Sequence, residues 1–95
     1  MKDTEIRVVR KNLNQWSAEA QSNTRRLLDG LAVHIFMNKN RCHLKNARFE
    51  DDRAYGFVTL QNAMQGKFIV ESEDYPEKLH YADVDSLVND GWVLD

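Results

Sequence analysis

Cys42-His43, His34 and His80 are the residues whose types could do the sharpest chemistry. Thiolate and imidazole nitrogen are zinc ligands, but the spacing here matches no standard zinc pattern. Adjacent residues on a strand point to opposite faces, so Cys42 and His43 cannot easily share a ligand. A Cys-His nucleophile needs a third group to orient the base, and the sequence names none. A buried thiol and surface imidazoles are the plainer reading. Glu50-Asp51-Asp52, with Asp83 and Asp85, could surround a hard cation. Their spacing is not that of an EF-hand loop, and a solvated acidic turn is expected instead. Gly30, Gly56, Gly66 and Gly91 are scattered and form no phosphate-cradling run. No catalytic residue, metal site or cofactor is therefore expected, and a non-enzymatic binding protein is.

The remaining chemistry lies in aromatic rings and charge. Trp16, Phe36, Tyr55, Phe57, Phe68, Tyr75, Tyr81 and Trp92 are many for one small core. Phe57 and Phe68 are read as core. Tyr55 and Tyr75, with Trp92 and Leu94 of the apolar ending, are candidate interface residues, because aromatic side chains are enriched at subunit contacts. Trp16, Phe36, Tyr55 and Tyr81 could instead line a small-ligand pocket between helix and sheet. The net charge of −2 hides a split. Residues 1–48 hold ten Lys/Arg against four acids, a net of +6. Residues 49–95 hold three against eleven, a net of −8. The halves can meet within one fold, or pair between two copies. Arg25, Arg26, Lys39, Arg41, Lys45 and Arg48 are the candidate RNA-binding set, since phosphate contacts supply much of nucleic-acid affinity.

These residues must be positioned by a single domain, because 95 residues suffice for one and not two. Small size favours self-association, as a dimer or a higher oligomer. Met1-Lys2-Asp3-Thr4-Glu5 has no apolar core of a signal peptide, no run approaches a membrane span, and one cysteine cannot staple the fold. Cytoplasmic residence without membrane contact is the expectation.

The pattern predicts an edge strand or flexible arm over residues 1–11. A helix follows, capped by Ser17 and running to about Asp29, with Ala20, Thr24, Leu27, Leu28 and Leu31 on one stripe. Gly30 stands where a left-handed C-cap belongs, and Gln21, Ser22, Arg25 and Arg26 form the polar face. Leu31–Asn38 alternates and is read as a strand in preference to a continued helix. Arg41–Glu50 is a further strand. Tyr55–Gln61, Lys67–Ser72 and Lys78–Tyr81 are separated by turn formers and predict a three-stranded antiparallel meander. Asp83 caps a last helical turn through Val84, Leu87 and Val88, which Asn89-Asp90-Gly91 stops. Trp92-Val93-Leu94 must dock on the chain's own core or on a partner.

Val33-His34-Ile35-Phe36-Met37-Asn38, the start at Leu44, Phe57-Val58-Thr59-Leu60-Gln61-Asn62 and Ala82–Val88 resemble successive segments of the Sm-like proteins, their bacterial Hfq branch most of all. The resemblance spans roughly residues 25–88. It implies an N-terminal helix on a bent, barrel-like sheet, and RNA as partner. The Lys-His pair that contacts RNA in the Hfq branch stands here as Tyr81-Ala82, so RNA is not the favoured partner. The expected fold is α+β: an N-terminal helix on a bent antiparallel sheet of about five strands, open or closed as a small Sm/SH3-like barrel. The expected function is binding as a homo-oligomer, with another protein as partner. An RNA-binding module and a small-ligand pocket are the alternatives.

Overall fold

The computed structural model describes residues 12–95. The arm or edge strand expected over residues 1–11 lies outside the described residues. Helix α1 (Ala18–Asp29) opens the described fold. The Ser17 hydroxyl accepts from Ala20 N–H at 3.1 Å, and Glu19 sits in the first turn, where its charge suits the helix dipole. Thr24 and Leu28 are fully buried. Gln21, expected on the polar face, is buried as well. Its side chain accepts from Asn12 Nδ2 and donates to the Trp16 carbonyl, both at 2.9 Å, so burial leaves neither end unpaired. The left-handed residue at the helix end is Leu31 (φ 53°), not Gly30 (φ −83°).

The strand expected at Leu31–Asn38 is a 3-10 turn, Val33–Phe36. Alternation would have put Val33 and Met37 with Ile35, yet Val33 and Met37 are 81% and 77% exposed while Phe36 is buried. A strand needs a hydrogen-bonding neighbour. The strand that follows, β1 (Arg41–Asn46), meets the preceding segment in one antiparallel bridge only, Asn38–Arg41, and β5 (Trp92–Leu94) takes its edge over Leu44–Asn46. β2 (Tyr55–Thr59) pairs with the other edge, and both pairings are antiparallel. β1 shows strict alternation, with Cys42, Leu44 and Asn46 buried. It ends at Asn46, before Phe49.

The expected meander is divided. β2 stops at Thr59, whose hydroxyl accepts from Asn62 N–H at 3.1 Å and caps α2 (Leu60–Met64). β3 (Phe68–Val70) and β4 (Leu79–Tyr81) form a separate two-stranded sheet. One bridge joins the sheets: Phe57 and Glu71 exchange N–H···O bonds of 2.9 Å. The barrel is not closed. The architecture is α+β, a helix on antiparallel sheet, as expected. α3 (Val84–Asn89) carries the expected Asp83 cap, its carboxylate accepting from Ser86 N–H at 2.8 Å. α1 packs on α3 and β5. Leu28, Phe36, Cys42, Leu44, Val58, Leu87, Val88 and Trp92 form the core between them. No helix among the described residues is long and apolar enough to cross a membrane.

Candidate functional site

Cys42 and His43 do face apart. Cys42 lies in the core, and His43 lies on the opposite face, its ring 6.2 Å from that of Phe57. Burial pushes the Cys42 thiol up to about 12, so it remains a thiol at neutral pH. His34 and His80 are exposed and far apart in the chain. Among the described residues no three His, Cys, Asp or Glu side chains come together. Asp51, Asp83 and Asp85 of the acidic candidates have other partners. Asp51 caps the 3-10 turn Asp52–Ala54 and takes Arg53 at 2.9 Å. That hydrogen bonding holds the Asp51 carboxyl below its ordinary range.

The six candidate RNA-binding residues are not gathered into one free patch. Arg25 donates to Asp85 and Asn89, both at 2.8 Å. Arg41 pairs with Glu73 and lies 4.2 Å over the Phe57 ring. Arg48 pairs with Asp90, and Lys45 lies 4.6 Å over Trp16. Arg26 donates to Asn23 at 3.2 Å, and Lys39 is exposed in a left-handed turn. Three of these contacts are ion pairs that join the basic half of the chain to its acidic half, so part of the charge split is met within one molecule. Each pair is partly exposed and contributes about 0.2–1 kcal/mol.

Nor do the four expected pocket residues meet. Phe36 is core, Trp16 is half-buried beneath Lys45, and Tyr81 braces the core from one side. Tyr55 alone of the four lines a largely apolar surface hollow, one of several hollows among the described residues. That cavity measures about 270 Å³, lies between the start of β2, the loop after β3 and the start of β4, and is lined mostly by carbon. Phe49, Tyr55, Tyr75 and Trp92 supply its rings, Val70 and Leu79 its aliphatic wall, and Arg53, Glu71, Ser72 and Glu77 its polar groups.

Local structure explains each wall. The chain leaves β1 at Asn46 and turns, with Phe49 N–H bonded to the Asn46 carbonyl at 3.4 Å, which brings Phe49 to 6.2 Å from Trp92. Gly56 lets the two sheets close. A Cβ there would stand 2.6 Å from Val70 Cγ1, 3.0 Å from the Glu71 carbonyl and 3.4 Å from Trp92. Trp92 is 1% exposed, so of the candidate interface residues it belongs to the chain's own core. Its indole N–H donates to Tyr81 Oη at 3.0 Å, and Tyr81 donates in turn to Asp90 at 2.5 Å. Arg48 closes the chain on Asp90. Leu94 is half-buried beside α1, where its N–H donates to Thr24 Oγ1 at 3.0 Å. Tyr55 remains 58% exposed at the cavity mouth, and Tyr75 is half-buried with Arg53 Cζ 5.6 Å from its ring centre. Sequence reasoning missed Phe49, Arg53, Val70, Glu71, Ser72, Glu77 and Leu79. The break in alternation at Phe49 was a usable signal.

Burial, then the hydrogen bond to Asp90, raises Tyr81 above the ordinary tyrosine value. Cys42 and Tyr81 thus hold their protons more tightly folded than unfolded. Their contribution to stability is complete below their unfolded values, about 8.5 and 10, and falls as pH rises past them. Urea unfolding is expected to show stability declining above about pH 9, by up to ~1.4 kcal/mol per pH unit for the thiol alone. Cys42→Ala flattens this decline between about pH 9 and 11; an unchanged slope would show that the thiol takes no part.

No protein-family profile matches the chain, and comparison with curated proteins and with solved structures returns no match.

Proposed function

We propose that the protein is a non-enzymatic binding module whose cavity takes a single side chain or head group. The observation that carries this is a largely apolar hollow to which Phe49, Tyr55 and Tyr75 contribute, with Trp92 packed behind it. The volume of about 270 Å³ falls just below the roughly 300–1,000 Å³ of sites for drug-sized ligands. That size suits a fragment or one side chain. Rigid walls lower the ordering cost of binding, and the Trp92–Tyr81–Asp90–Arg48 chain supplies that rigidity.

Self-association is the second reading, favoured by the exposure of Tyr55 and Leu79 at the mouth. In it the occupant is a side chain of a second copy, and Tyr55, Tyr75 and Leu79 form the contact. RNA is the weaker candidate partner, since four of its six candidate residues are engaged in ion pairs or ring contacts. The test is amide NMR titration with small apolar and ammonium fragments, together with mass by light scattering. Shifts clustered at Tyr55, Val70, Ser72 and Tyr75 are expected, or the same cluster shifting with protein concentration if a second copy fills the site. Shifts confined to other surfaces, or none at about 10 mM fragment (a binding free energy weaker than about −3 kcal/mol), would overturn the reading.

A further inference from the structure

We infer that residues 72–78 are a lid on this hollow, latched by charge to Arg41 and Arg53. The inference rests on the binding reading above and adds how the site opens. The two sides of the hollow are built differently. Val70 and Trp92 belong to the core, and the Phe49 ring stands 6.2 Å from that of Trp92. The other side is the connection from β3 to β4, which supplies Ser72, Tyr75 and Glu77. Among the described residues, no backbone hydrogen bond is made by residues 72–78. Glu73, Asp74, Pro76, Glu77 and Lys78 are exposed, and one local bond stiffens the segment, Ser72 Oγ accepting from Asp74 N–H at 3.1 Å. A segment with exposed backbone and few buried contacts opens at far lower cost than the whole fold. Its ends are pinned: Glu71 bridges to Phe57, and Leu79 pairs with Val70.

Side chains hold the segment down. Glu73 meets Arg41 of β1 at 2.5 Å, and the Arg53 guanidinium stands 5.6 Å from the Tyr75 ring centre. Asp51 foremost, with Tyr75 and Glu77 adding, keeps Arg53 more firmly protonated than usual. The segment thus presents Glu73, Tyr75 and Glu77, and the rest of the fold meets them with two arginines. Such surface contacts are individually weak and are screened by salt. That strength suits a lid, since about a factor of three in closed population per contact leaves it able to open. Neither Arg41 nor Glu73 lines the hollow. Their pair can act on an occupant only through the segment that carries Glu73.

The experiment is amide NMR relaxation of the whole chain, order parameters and relaxation dispersion together, followed by titration with p-cresol. Wild type is compared with Glu73→Gln and with Glu73→Gln combined with Arg53→Gln, at low salt and at about 1 M NaCl. At low salt the wild-type amides of residues 72–78 are expected to be nearly as ordered as those of β1. Both variants and high salt are expected to add motion there, the double variant most, with α1 and β1 unaltered. Glu73→Gln is expected to weaken p-cresol binding about threefold, because the closed form is less populated. Motion unchanged by the double variant and by salt would overturn the lid, since something other than these arginines would then fix the segment. Order parameters below about 0.6 in the wild type at low salt would overturn it too, since the segment would not close. Added motion with undiminished p-cresol affinity would overturn the lid and leave the binding cavity standing. Added motion with no p-cresol bound by wild type or variant would uphold the latch and overturn the binding reading.

Discussion

Trp92→Ala is expected to lower the unfolding free energy by about 3–5 kcal/mol, the usual cost of truncating a large buried aromatic side chain. Trp92 is 1% exposed and sits in the core with Leu44, Val58 and Val70, behind the wall of the hollow. Its loss also strands Tyr81 Oη, which would keep its bond to Asp90 but lose its donor. A domain of this size has only about 5–10 kcal/mol in total, so the variant keeps a much reduced margin and its melting temperature falls sharply. Trp92→Phe keeps most of the apolar area and removes the N–H, so a smaller loss of about 1–2 kcal/mol is expected. Urea unfolding measures both. A loss below ~1 kcal/mol for Trp92→Ala would show that the C-terminal strand contributes little to the fold.

Gly91→Ala is expected to cost about 2–5 kcal/mol, from two separate sources. Gly91 has φ +116°, a conformation that side chains strain to adopt. A Cβ there would also collide with the Asn46 side chain. Asn46 is 1% exposed and both its polar side-chain atoms are engaged: Nδ2 donates to the Asp90 carbonyl at 3.1 Å, and Oδ1 accepts from Arg48 N–H at 3.0 Å. Displacing it would leave buried polar atoms without partners. Gly66 provides the control. It too has a positive φ, +74°, but a Cβ added there would meet nothing within 4 Å. Gly66→Ala should therefore show backbone strain alone, about 1 kcal/mol. Equal losses at the two positions would mean that Asn46 gives way freely, and that the Asn46–Asp90 turn is not a fixed part of the fold.

Both predictions concern the segment Asp90–Leu94, and it shows how legibility divides. The helix caps at Ser17 and Asp83, the stop at Asn89-Asp90-Gly91 and the strand alternation of Cys42 and Leu44 are local features. Each depends on residues within about one turn or one pleat, so side-chain chemistry alone predicts them. The α+β class follows from the same periodicities. The need of the apolar tail to dock was also legible, although its place was not.

The errors share a cause. Val33, Ile35 and Met37 alternate as a strand should, but β5 from the far end of the chain took the Leu44–Asn46 part of the edge they would need, and only the Asn38–Arg41 bridge remains. Lys67–Ser72 and Lys78–Tyr81 do contain the strands their composition predicts, yet Thr59 caps a helix between β2 and β3 and reduces the pairing of those two to one bridge. The cavity lies further from local reasoning still. Its rings come from Phe49, Tyr55, Tyr75 and Trp92, four segments up to 43 residues apart in sequence, between positions 49 and 92. Sequence alone determined the helices at Ala18–Asp29 and Val84–Asn89 and the extended cores of the five strands, because backbone and cap preferences act over a few residues. Only the tertiary structure decided which strands pair, which charges cancel and which rings share a hollow, because those depend on competition among distant segments for the same edges and the same core.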